Sequence, residues 1–277
     1  MNPLVSVIIP TYNRFGPLCE LMECLARQTY SNIEVIIIND NGASVDLILS
    51  LYPELDIKIL QMESNVKHVA ARNEGLRMAA GDNILLCDDD DLLMPTHIEC
   101  MLHEIEGHDL VYSDVEIVEF VNDGLVRLPV KRTLFAYEFS IEGMRKFSTF
   151  VPSGCLYRKE IHDRIGIFDE DVYHYWDWDF FLRVAADHQV KRVPIAGVLY
   201  AFASEGDNLS GSLSNMEPFL DKLSRKHNLG KLPTKNFLLL LEEPDVKKRE
   251  ASSRIVWDGK PIISRWVRDG DGAIQNG

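Results

Sequence analysis

NILLCDDDDLLMP, residues 83–95, decides how this chain is read. An apolar run from Ile84 to Cys87 stops at four consecutive acids, Asp88, Asp89, Asp90 and Asp91. The run is short and bounded, so it reads as a strand buried on both faces. Pro95 suits the first turn of a helix. The carboxylates therefore stand at the C-terminal tip of a core strand, just before a helix. In open α/β sheets that edge is where ligands bind. Like charges this close repel unless something compensates them. A divalent cation does so well, because hard metals prefer carboxylate oxygens. Acidic runs are more often solvated loops or tails. The junction with a core strand sets this one apart.

Outward from this stretch, strand and helix alternate. Upstream, the apolar pattern predicts strands at 4–9, 33–38 and 57–60 and helices at 17–28, 45–51 and 68–80, the last closed by Gly81. Downstream it predicts a helix at 96–105. Such alternation implies a parallel sheet covered on both faces. The polar clusters Thr11-Tyr12-Asn13, Asn39-Asp40 and Asp88 to Asp91 would then share one sheet edge. After a strand at 110–112 the pattern becomes less regular. Asn122-Asp123-Gly124 marks a hairpin between 115–121 and 125–128. Helices are expected at 137–147, 159–165 and 177–186, a loop running into a strand at 151–157, a strand at 198–202, and a polar loop at 204–214. Two helices, 216–227 and 235–243, a basic patch Lys247-Lys248-Arg249, and exposed Trp257 and Trp266 complete the reading.

The chain has 277 residues and a net charge of -14, which argues against bulk nucleic-acid binding. Its five cysteines are scattered and form no CxxC pair, as expected of thiols in a reducing compartment. No run matches a signal peptide or a membrane span. The expectation is a cytoplasmic protein, with contact at the inner face of the membrane as a variant of it.

Five segments, VSVIIPTYNR, IEVIIINDNGAS, ARNEGLRMAAGDNILLCDDDDLLMP, GIFDED and WDWDFFLRV, occur in that order. Together they resemble the family-2 inverting glycosyltransferases. The resemblance implies the GT-A fold, a Rossmann-like, mostly parallel α/β sheet flanked by helices. A glycosyltransferase domain is expected over residues 1–214, with a nucleotide-binding half (1–112) and a smaller, mixed acceptor half (113–214). A partly helical extension, 215–277, would follow and either pack on the core or make an oligomer contact.

The resemblance also implies the chemistry. Such enzymes move a sugar from a nucleotide diphosphate to an acceptor hydroxyl, with inversion at the anomeric carbon. A UDP-sugar is favoured as donor, with dTDP- or GDP-sugars as alternatives, and a saccharide or glycolipid as acceptor. Pro10, Thr11, Tyr12, Asn13 and Asp40 would hold the nucleoside, and Arg72 the diphosphate. Asp88 and Asp89 would lie near the nucleotide, and Asp90 with Asp88 would bind Mn2+ or Mg2+. Asp177 would be the catalytic base, with Asp179 its competitor and Asp91 belonging to the helix start. Ser153, Gly154, Trp176 and Trp178 would face sugar or acceptor. The sequence departs from the family pattern twice. Trp176 stands where an acid is common, and no histidine follows Tyr200 in YAFASEGDNLSGS. The rival readings are a phosphotransferase with an aspartyl nucleophile and a sugar-nucleotide-binding protein without transfer activity.

Overall fold

The computed structural model describes residues 2–202, 213–233 and 237–268. In the first half, β1 (Val5–Thr11), α1 (Phe15–Ala26), β2 (Ile33–Asn39), α2 (Leu47–Leu51), β3 (Asp56–Gln61), α3 (Lys67–Met78) and β4 (Asn83–Leu86) alternate as expected. Every residue of β1 and β2 is buried, which suits strands covered on both faces. Val5, Val7 and Ile9 pack with Leu18, Leu21 and Met22 of α1, whereas Ile8 packs with Val69 and Leu76 of α3. The strand period of two thus divides β1 between two cores. Strands β4, β1, β2 and β3 lie side by side and parallel. Their C-terminal ends bring Thr11, Asn39 and the acid run to one edge.

The second half extends the same sheet. It contains β5 (Leu92–Leu93), α4 (His97–Glu104), β6 (Leu110–Asp123), β7 (Val126–Phe135), α5 (Ile141–Met144), β8 (Cys155–Arg158), α6 (Ile161–Ile165), α7 (Trp176–Asp187) and β9 (Val190–Ala201). Then come α8 (Leu213–His227), α9 (Phe237–Leu241), α10 (Pro244–Lys247) and β10 (Arg254–Ile255). The strand order is β10-β9-β6-β8-β4-β1-β2-β3, with β5 paired to β9 and β7 to β6. Only β8 runs against its neighbours along this path. The molecule is mixed α/β with a large, mostly parallel sheet flanked by helices, the architecture that the resemblance to a GT-A fold implies.

Several local expectations need correction. Residues 110–121 form one long strand, because Ser113 and Asp114 continue β6 instead of ending it. The helix expected at 137–147 shrinks to α5, because Tyr137 bridges Glu250 and the Glu138 amide donates to the Arg249 carbonyl. Gly81 does not cap α3 in a left-handed turn. A Cβ there would lie 2.6 Å from the Leu4 carbonyl oxygen, so glycine permits close approach to β1. Leu92 and Leu93 pair with Leu199 and Val198 of β9, which delays α4 until His97. Asp91 and Pro95 are therefore not helix-start residues.

Residues after 213 return to the sheet. The helix expected at 235–243 is divided into α9 and α10, since Pro244 starts a new turn. Trp257 is buried under the Arg132 guanidinium, 4.5 Å from the ring centre, and Trp266 meets Phe15 edge-on at 5.4 Å. Neither is the exposed ring the sequence suggests. The expected loop at 204–214 lies largely outside the described residues, and Leu213 already belongs to α8. Among the described residues no helix is long and apolar enough to cross a membrane.

Candidate active site

A cavity of about 540 Å³ opens over the C-terminal edge of β1, β2 and β4. That size suits a small ligand. Pro10, Thr11, Tyr12, Asp40, Arg72, Asp88, Asp89, Asp90, Trp176, Asp177 and Trp178 all line it. Residues separated by more than 160 positions in the sequence thus share one site. Asn13, Ser153 and Gly154 do not line it.

The acid run leaves β4 with its carboxylates alternating. The Asp88 and Asp90 side chains are 33% and 28% exposed, whereas Asp89 is 8% exposed. Asp91 is fully interior. Asp91 accepts the Ser153 hydroxyl at 2.5 Å and the Ala201 amide at 2.9 Å, while the Asp88 amide donates to the same Ser153 oxygen at 3.1 Å. Ser153, expected to face sugar or acceptor, instead braces the acid run and does not line the cavity. Gly154 beside it is interior, against the Ser113 carbonyl.

Two arginines balance the other acids. Arg72 pairs with Asp88, and its guanidinium stacks 4.3 Å over the Trp176 ring. Arg14 pairs with Asp90 at 2.5 Å and Asp89 at 3.4 Å. Asp89 also accepts the Thr11 hydroxyl at 2.7 Å. Burial, then repulsion from Asp90, pushes the Asp89 carboxyl up to about 7. Burial likewise raises Asp90, and raises Asp91 well above the ordinary range. Such crowding favours added positive charge.

Among the described residues no three His, Cys, Asp or Glu side chains gather around one point. A cation here would therefore take one or two protein carboxylates and complete its shell with phosphate and water oxygens. That is how Mg2+ is ordinarily held beside nucleotides. Asp88 and Asp90, oxygen donors facing the cavity, fit that pattern.

Tyr12 presents an exposed ring to the cavity. Asn13 turns away in a left-handed conformation, φ 56°, and its side chain accepts from the Ala43 amide at 2.9 Å. It holds the turn after β2 and does not line the cavity. The Asp40 carboxylate accepts the Val66 amide at 2.6 Å and the Lys67 amide at 2.9 Å. It orders the 65–67 loop at the cavity wall and is not a free carboxylate.

Asp177 sits in the first turn of α7, half-buried and facing the cavity. Burial pushes its carboxyl up to about 6, partly opposed by the Trp178 amide and increased by Asp88. Asp179 is different. It is fully interior, bonded to Arg183 at 2.8 Å, Lys226 at 2.7 Å and His227 at 2.7 Å. Burial resists its charge, but these three partners outweigh it and hold the carboxyl down at about 2. Trp178 lines the cavity while its Nε1 donates to the Met144 carbonyl at 2.6 Å.

The sequence reading missed Arg14, Lys67, His68, Tyr173 and Tyr200, which also line the cavity. Arg14 lay inside a quoted motif, and nothing local distinguished it. The segment after Phe202, where a histidine is missing, lies outside the described residues.

Comparisons with known proteins bear on the family and the fold. Residues 6–166 match the family described as Glycosyl transferase family 2. The chain is 56% identical over 265 residues to YwdF, an uncharacterized glycosyltransferase of Bacillus subtilis strain 168, covering 95% of this chain and 99% of that protein. It is 28% identical over 197 residues to the amylovoran biosynthesis glycosyltransferase AmsB of Erwinia amylovora, covering 64% and 62%. Among solved structures, residues 1–349 of S. aureus TarS in complex with UDP-GlcNAc match with a TM-score of 0.63 and 20% identity, over 80% of this chain and 66% of that one. The mannosyltransferase PcManGT of Pyrobaculum calidifontis, in complex with GDP-Man and Mn2+, matches at 0.60 and 17%, over 87% and 69%. At these identities the two structures bear on the fold alone.

Proposed function

This chain belongs to glycosyl transferase family 2, and from that membership we propose that it transfers a hexosyl group, with inversion, from a nucleoside diphosphate sugar to an acceptor hydroxyl. The observation that carries the reading is Asp177. It is a cavity carboxylate pushed up to about 6, and the competing Asp179 is locked among Arg183, Lys226 and His227. A general base works best when its pKa is near the working pH.

The donor's nucleoside lies at the Tyr12 and Asp40 end, and its diphosphate near Asp88, Asp90, Arg14 and Arg72. UDP is the favoured nucleotide, with dTDP and GDP as alternatives. The acceptor oxygen attacks the anomeric carbon on the face opposite the diphosphate. The bond from that carbon to the phosphate oxygen breaks, and the nucleoside diphosphate departs with the electron pair. Asp177 takes the acceptor proton. Mn2+ or Mg2+, held by Asp88 and Asp90, would supply charge neutralisation for the departing diphosphate. Trp176, Trp178, Tyr173 and Tyr200 limit water around the reacting centre. The likeness to an amylovoran biosynthesis glycosyltransferase supports a saccharide or glycolipid acceptor in polysaccharide or glycoconjugate synthesis.

The test is turnover of UDP-, dTDP- and GDP-sugars by the full chain with Mn2+ and with EDTA. The reading expects metal-dependent release of nucleoside diphosphate, and expects Asp90→Ala to lose metal-dependent nucleotide binding. Nucleotide binding that ignores metal and yields no turnover would mark a binding protein instead.

A further inference from the structure

Among the described residues four non-glycine residues have positive φ: Asn13, Asn41, Asn228 and Lys67. Asparagine tolerates that region, because its short side chain bonds locally. Lysine does not. Lys67 nevertheless adopts φ 72° at the start of α3. Its amide donates to Asp40 Oδ2 at 2.9 Å, which fixes the backbone in this conformation. A glycine would make the same amide bond without the strain. The backbone therefore explains the conformation but not the lysine. Strained residues of this kind gather where a ligand is held.

The surroundings indicate what the side chain serves. Among the described residues the lysines and arginines lining the cavity are Arg14, Lys67 and Arg72. Arg14 is committed to Asp89 and Asp90, and Arg72 to Asp88. Among the described residues Lys67 has no ion-pair partner, and its side chain is exposed at the cavity wall. The Asp40 carboxylate is already occupied by the Val66 and Lys67 amides. We infer that Lys67 is a donor-binding residue whose ammonium donates to a phosphate oxygen of the nucleoside diphosphate. Base and ribose carry no charge, so the diphosphate is the anion available to it. The inference rests on the donor reading above.

Calorimetric titration of the full chain with UDP, dTDP and GDP, in the presence of Mn2+, tests it in two variants. Lys67→Gly removes both strain and charge, and Lys67→Met keeps the Cβ and removes only the charge. Both should weaken the bound nucleotide by about tenfold or more, since a charge-assisted hydrogen bond is lost. The loss should shrink as NaCl rises, because an exposed ionic contact is screened. Lys67→Gly should also melt at a higher temperature than the wild type. Unchanged affinity in both variants overturns the inference, as does an equal loss at every salt concentration. Failure of the wild type itself to bind any of the three nucleotides overturns the donor reading as well, so the two failures are distinguishable.

Discussion

Replacing Asp177 by asparagine separates its two roles, because the shape stays and the charge goes. Removing a general base ordinarily costs about 10²–10⁴ in rate, so transfer should fall by at least a hundredfold while nucleotide binding persists. The wild-type pH profile follows from the carboxyl being pushed up to about 6. Below that pH, kcat/KM should drop roughly tenfold per unit, leaving about a tenth of the plateau at pH 5. The Asn variant should lack this limb. The same raised value has a stability consequence. The fold favours the protonated form, so the stability present below the ordinary carboxylate range is lost as pH rises through about 6. A shift of roughly two units corresponds to up to about 3 kcal/mol at pH 7. Asp177→Asn should therefore raise the melting temperature at pH 7 by several degrees, with the gain fading towards pH 4. Melting curves from pH 4 to 8 and initial rates over the same range check both halves. A variant within tenfold of wild-type rate, or one that melts no higher at pH 7, refutes the reasoning.

Asp179→Ala should behave in the opposite way. It leaves Arg183, Lys226 and His227 without their shared buried acid, and urea titration should show a loss of about 3–5 kcal/mol. Ser153→Ala deprives the Asp88 amide and the Asp91 carboxylate of a shared partner. It should cost about 1–3 kcal/mol in urea titration and weaken Mn2+-dependent nucleotide binding in calorimetry.

The nucleotide half was legible because its strands are apolar along their length and end abruptly in turn residues. Parallel pairing then forces Thr11, Asn39 and the acids to one edge. The long strands β6 and β9 were hidden by buried charge. Asp114 lies in the middle of β6 and looks like a strand end, yet Arg192 of β9 neutralises it through two bonds of 2.9 and 2.7 Å. The helix start assigned to Asp91 failed because Pro95 imitates such a start. Pairing of Leu92 and Leu93 with residues more than a hundred positions later decided otherwise. Arg14 and Ser153 were invisible or misassigned for the same reason. Their partners in the acid run lie 62 to 76 positions away, and only the folded sheet brings them together. The pair Asp177 and Asp179 was readable as a pair. Which member is free depends on Lys226 and His227 in α8, beyond the reach of any local pattern.

The central claim is inverting transfer with Asp177 as base, and water can serve as the acceptor when none is known. Time-resolved NMR of donor hydrolysis, with the nucleotide sugar that binds best and Mn2+, reports the first anomer released. The account predicts the anomer opposite to the donor's, formed by the wild type and absent with Asp177→Asn. First release of the donor's own anomer, or undiminished hydrolysis by the variant, would contradict it.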